Sequence, residues 1–164
     1  MKATLFTKLR LLALMCALLA FAVACDDDDD DKPSPVTNTD IEFKGIALSG
    51  NNEVPAVTSD GTGTFEGTYD DDTNILSYTV TWQLGNPDDE TVGMHFHGPA
   101  DPTESAGVAA PIEGFTTESS GSYSASTAPL SAQQEADLKA GLWYINVHST
   151  TYPNGELRGN LLVD

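Results

Sequence analysis

Cysteine is almost absent. The 164-residue chain has two, Cys16 and Cys25, and both fall near its N-terminus. Everything after Cys25 therefore lacks a thiol for a disulfide, a thiolate metal site or a sulfur nucleophile. Basic residues are nearly as scarce, seven Lys and Arg against 25 Asp and Glu for a formal net charge of −18, which excludes the basic surface that nucleic-acid binding requires. No apolar run reaches the ~20 residues that a membrane-spanning helix needs; the longest, even counted across Arg10, covers residues 9–24. No serine lies in a glycine elbow, no glycine run resembles a phosphate loop, and no repeat recurs at solenoid or propeller periods. Carboxylates are so numerous that a glycosidase-type pair could be drawn from them by chance, so their abundance points to no such enzyme.

What is present at the N-terminus is an address. Lys2, Lys8 and Arg10 precede an apolar stretch over residues 11–21, and the small residues Ala22, Val23 and Ala24 lead into Cys25. This order resembles a bacterial lipoprotein signal peptide. The resemblance implies that residues 1–24 are removed and that Cys25 carries lipid. The mature chain would then hold four basic residues against 25 acidic ones, a net charge of −21. Six aspartates, Asp26 to Asp31, follow at once. They resemble an acidic tag that directs lipoproteins to the outer face of the outer membrane in some bacteria, although Asp next to the lipidated Cys marks inner-membrane retention in others. Like charges also repel and keep a segment extended, so residues 25–40 read as a lipidated, disordered tether. The expected location is the outer membrane, lipid-anchored and exposed at the cell surface.

Residues 41–164 are enough for one core. Apolar and polar residues alternate there, with Gly, Asn, Asp and Pro between the runs, which predicts strands over 41–49, 62–69, 75–84, 91–97, 107–113, 121–127, 142–149 and 156–163. Eight short strands predict an all-β sandwich or Greek-key barrel. One short helix is expected, with Ser131 as N-cap, Gln134 completing a capping box and Gly141 just past its end.

The three histidines carry the candidate chemistry. His95 and His97 are two apart, so on a strand both point to one face, with Val92, Met94 and Phe96 on the apolar side. His148 shares a face with Tyr144 and Asn146, opposite Trp143, Ile145 and Val147. In the last strand Leu157, Leu161 and Val163 are expected inward, with Glu156, Arg158 and Asn160 outward. Three imidazoles from two strands suit copper or zinc, which take nitrogen ligands, with Glu156 or Tyr144 as further ligands. The same histidines equally suit a polar cluster with Tyr144, Asn146, Glu156 and Arg158 under a loop. Two acidic stretches are expected to be plain loops. Asp70, Asp72 and Asn74 are spaced like the opening of a calcium loop, but Ile75 replaces the required glycine and Thr81 the closing glutamate, so a hairpin turn is expected. Asp88, Asp89 and Glu90 read as a solvated loop.

Taken in order, Asn51-Asn52-Glu53-Val54-Pro55, Gly61-Thr62-Gly63-Thr64-Phe65, Leu76-Ser77-Tyr78-Thr79-Val80, His95-Phe96-His97-Gly98-Pro99, Leu142-Trp143-Tyr144-Ile145-Asn146-Val147-His148 and Asn154-Gly155-Glu156-Leu157-Arg158 resemble the CHRD (chordin-type) domain. The resemblance implies an immunoglobulin-like or superoxide-dismutase-like β fold. Copper/zinc dismutases need more ligands than three histidines, including a bridging histidine and a zinc aspartate, so dismutase activity is not expected. The expected function is a noncatalytic module binding an extracellular protein or glycan, anchored through Cys25; the alternative is a copper- or zinc-binding protein using His95, His97 and His148.

Overall fold

The computed structural model describes residues 40–163; the expected signal peptide, Cys25 and the Asp26–Asp31 run lie outside the described residues. Eight strands and one α-helix follow in order: β1 Ile41–Ser49, β2 Thr62–Asp70, β3 Ile75–Gln83, β4 Thr91–His97, β5 Val108–Pro111, β6 Ser120–Ser126, α1 Ala132–Lys139, β7 Trp143–Ser149 and β8 Leu157–Leu161. They make one antiparallel sheet, ordered β5-β4-β7-β8-β1-β2-β3-β6, that curls into a half-barrel. The all-β expectation with one short helix therefore holds.

Local chemistry explains the elements. Asp70 Oδ1 accepts from the amides of Asp72 and Thr73 at 2.9 Å each, and Asn74 takes φ 60°. Residues 70–74 are thus the β2–β3 turn, as their side chains favour. The Ser131 hydroxyl accepts from the Gln134 amide while the Gln134 side chain receives the Ser131 amide, the reciprocal cap read from sequence. Gly141, at φ +71°, ends the turn after α1.

The concave side of the sheet is the core. Phe65 meets Phe43 and Phe96 edge-on at 6.2 and 5.8 Å, and Phe96 meets Tyr78 edge-on at 5.0 Å. Met94, Ile145, Val147, Leu157, Leu161 and, from α1, Leu138 are fully buried among them.

Two inward assignments fail. Val92 is 51% exposed, and Thr91 is buried instead. A register shift between Thr91 and Gly93 reverses the pleat at that point, and the Thr91 hydroxyl is held inside by Trp82 Nε1 and the Glu118 carbonyl, both at 2.8 Å. Val163 is 40% exposed because β8 ends at Leu161. Asp89 is also misjudged: it is buried, and its Oδ1 accepts from Asn86, Thr150 and Thr151 at 2.9–3.1 Å. These bonds hold its carboxyl below the usual range and tie the β3–β4 loop to the β7–β8 loop.

Trp143 is 1% exposed and lies against Phe96. Trp143→Ala is expected to lower stability by ~3–5 kcal/mol, read from urea denaturation of the purified domain; an unchanged midpoint would overturn the core face assigned to β7.

Candidate functional site

The convex face of β4, β7 and β8 is a polar grid built by register. Gly93 lies opposite His148, His95 opposite Asn146, and His97 opposite Tyr144. Across the next ladder Asn146 lies opposite Arg158 and Tyr144 opposite Asn160. Directly paired residues share a face, so strict alternation on three adjacent strands gathers these side chains on the side away from the core.

Loops then cover the grid. His97 Nδ1 lies 3.1 Å from the Ala106 carbonyl, and the Tyr144 hydroxyl accepts from the Ala106 amide at 3.2 Å. Arg158 is 1% exposed; it donates to the Glu104 carbonyl at 2.8 Å and to Asn160 Oδ1 at 2.9 Å. Its guanidinium lies 3.6 Å over the Tyr144 ring, whose stacked neighbour is His97 at 4.9 Å and 6°. Arginine, tyrosine and histidine form one stack under the 101–106 loop.

The three imidazoles converge. His95 Nδ1 and His148 Nε2 are 3.2 Å apart, and one ligand nitrogen from each of His95, His97 and His148 lies within 4.8 Å of the others. A side chain at position 93 would bring its Cβ to 3.2 Å from His95 and 3.3 Å from His148, so Gly93 keeps space for both rings.

Tautomers follow from the partners. A carbonyl only accepts, so His97 Nδ1–H donates to Ala106, and His148 Nδ1–H donates to the Pro153 carbonyl at 3.0 Å. Both Nε2 atoms therefore carry lone pairs. That of His97 is buried and has no hydrogen-bond partner. A histidine whose Nδ1–H is fixed by a carbonyl while Nε2 stays bare is arranged as a metal ligand is. An ion at ~2.0–2.1 Å from three nitrogens sets them ~3.4 Å apart. Drawing the cluster in falls to His95, which among the described residues bonds to no backbone group.

Burial sets the charge states. It lowers the pKa of His95 and of His97, for the latter against the pull of the Ala106 carbonyl. His148 is lowered to about 4, by burial first and then by repulsion from the other two rings. All three are neutral at pH 7, the form that binds metal.

Of the residues expected here, Tyr144, Asn146 and Arg158 share the face, whereas Glu156 joins another network. Its Oε1 accepts from the Ser59 hydroxyl at 2.6 Å and the Gly85 amide at 2.7 Å. It lies before β8 begins, so alternation counted back from Arg158 does not apply to it. The acid that does reach the grid is Glu53, which sequence reasoning missed. Both its oxygens accept from Asn146 Nδ2, at 2.7 and 2.9 Å. Burial raises its pKa from 4.5 to about 7, against the opposing pull of Arg158 and Asn146. Its one signal in the sequence was its place in the Asn51-to-Pro55 motif.

The family model for the CHRD domain matches residues 45–161. Comparisons with curated proteins and with solved structures give no match.

The shifts of Glu53 and His148 act on stability with opposite signs. The raised Glu53 favours the fold fully below about 4.5 and loses that contribution as pH rises through about 7. The depressed His148 favours it fully above 6.5 and loses that contribution as pH falls through about 4. Glu53→Gln, which cannot ionise, is expected to gain stability relative to the parent between pH 5 and 7, checked by urea unfolding at both values. A parent and variant with parallel pH profiles would contradict the burial of Glu53.

Proposed function

The chain belongs to the CHRD domain family, and from that membership and the geometry of its site we propose a noncatalytic binding module that holds one copper or zinc ion between His95, His97 and His148. It is carried outside the cytoplasm by lipid at Cys25 in the outer membrane, exposed at the cell surface. The observation that carries the metal reading is His97 Nε2: buried, unprotonated and without a partner, beside two other neutral imidazoles. A buried acceptor with nothing to accept from is costly, and a cation that favours nitrogen removes the cost. The binding rather than catalytic reading rests on the neighbours. Tyr144, Arg158 and Glu53 are each engaged in holding a loop, and among the described residues no aspartate joins the histidines, as a dismutase zinc site would need. An ion here would be fixed by neutral ligands, with the Arg158 charge behind Tyr144.

A second reading, an extracellular protein or glycan held by the sheet, is favoured by a different surface. Hydroxyl pairs Thr64–Thr81, Thr79–Ser124 and Ser77–Ser126, at 2.6–2.9 Å, line an exposed face of β2, β3 and β6, with a depression of about 750 Å³ beside them.

The mature chain carrying Cys25→Ser, titrated with Cu(I), Cu(II) and Zn(II), is expected to bind one ion, with His95→Ala/His97→Ala weakening it more than ~100-fold. No binding of any of the three would remove the metal reading and leave the interaction module. In cells, Cys25→Ser is expected to leave the membrane fraction; retention after high-salt and carbonate washing would contradict lipid anchoring.

A further inference from the structure

On the far side of Asn146 from the β4 histidines, a cavity of about 250 Å³ opens between the loop after β1 and the loop after β7. Glu53 and Gly155 line it with Thr151 and Asn154, and the rest of its wall is Val54, Pro55, Val57, Tyr152 and Pro153. We propose that this cavity is a binding site for a small organic ammonium ion, held by the Glu53 carboxylate.

The surroundings of Glu53 support it. Glu53 is 9% exposed, yet its side-chain partner is a neutral amide, and among the described residues no basic nitrogen forms an ion pair with it. The nearest fixed cation, Arg158, is committed to the Glu104 carbonyl, Asn160 and the Tyr144 ring. A buried carboxylate with no ion pair is expensive, and a cation placed in contact with it recovers that cost. Asn146, itself 3% exposed, fixes the carboxylate through its Nδ2.

Glycine at position 155 lets the loop after β7 pack closely against Glu53 and Asn146. A Cβ there would stand 2.7 Å from Glu53 Oε1 and 2.5 and 2.9 Å from the two amide atoms of Asn146. Gly155 has φ +132°, where side chains are disfavoured in any case. The walls choose between kinds of cation. Apolar Val54, Pro55, Val57 and Pro153 with one tyrosine ring suit an alkylated ammonium better than a strongly hydrated metal ion. The volume falls below the ~300–1,000 Å³ of drug-sized pockets, so the ligand has few heavy atoms.

The cavity is preformed. Glu53 and Val57 both donate from the backbone to the Gly50 carbonyl, at 3.2 and 3.0 Å, and Gly155 donates to the Tyr152 carbonyl at 3.1 Å. The Tyr152 hydroxyl donates to the Thr58 carbonyl across the two loops. Little ordering is left for a ligand to impose, and the strongly acidic chain raises the local concentration of cations.

The probe is choline chloride, added to the chelator-treated mature chain carrying Cys25→Ser, against sodium chloride at equal ionic strength and against dimethylbutanol, the neutral carbon isostere of choline. Amide NMR shifts are expected to saturate at Glu53, Asn146, Tyr152 and Gly155, with the isostere at least ~10-fold weaker. Glu53→Gln is expected to lose binding to the same degree, and His95→Ala/His97→Ala to keep it, which separates this site from the histidines. Choline producing no saturable shift, or the isostere binding as well as choline, would overturn the proposal. The comparison of the two probes uses the parent protein and stands even if the Glu53 variant does not fold.

Discussion

The pleat shared by β4, β7 and β8 is the constraint on which the rest depends. Because neighbouring strands are paired residue for residue, every side chain that faces the core has a sequence neighbour facing away from it. Met94 and Phe96 alternate with His95 and His97, Trp143, Ile145 and Val147 with Tyr144, Asn146 and His148, and Leu157 with Arg158. The aromatic core and the polar site are therefore one structure seen from its two sides. A slip of one residue in β7 would place Tyr144, Asn146 and His148 in the core and Trp143 in the grid. Packing thus holds the histidines together: the burial of Phe96, Trp143 and Ile145 sets the register, and the register sets the imidazoles opposite one another.

A sheet face of this kind is usually left to water, but here it is covered by loops and buried. Tyr144, Asn146 and Arg158 are all under 5% exposed. Each burial of a polar group requires a partner, and the partners come almost wholly from loop backbone: Ala106 for His97 and Tyr144, Glu104 for Arg158, Pro153 for His148. The Arg158–Tyr144–His97 stack does most of this for the 101–106 loop. Where partners run out, as at His97 Nε2, the proposed metal ion would find its ligand.

How much of this was legible in the sequence depended on whether periodicity governed the residue concerned. Inside the strands it did, and the boundaries of β1 and β4 and the face of the three histidines followed from alternation alone. The capping box of α1 was legible for a different reason, since Ser131 and Gln134 carry their function within one turn. Periodicity broke at Val92, where a register shift inserts a residue, and at Glu156, which lies one residue outside β8. Neither event leaves a mark in hydrophobic pattern. Glu53 and Asp89 were harder still, because a loop acid reads as solvated unless the tertiary fold is known. Their burial is created by partners far along the chain, Asn146 for one and Thr150 and Thr151 for the other.

One physical cause unites the shifted groups of the covered face. Desolvation leads the shift of His95, His97 and His148 downward and of Glu53 upward, so bases and acid alike move toward their neutral forms. Arg158 is the exception, since a guanidinium stays charged when its pKa is lowered. Its charge is spread over the Tyr144 ring and loop carbonyls. A layer holding one dispersed positive charge, three neutral imidazoles and a half-neutralised acid has lone pairs to offer to cations. A soft ion bound by nitrogen at one end and an ammonium ion set against a carboxylate at the other would both use this property. They differ in the acceptor chemistry that the strands and loops bring to each end, and Asn146, between His95 on β4 and Glu53 in the loop, divides one site from the other.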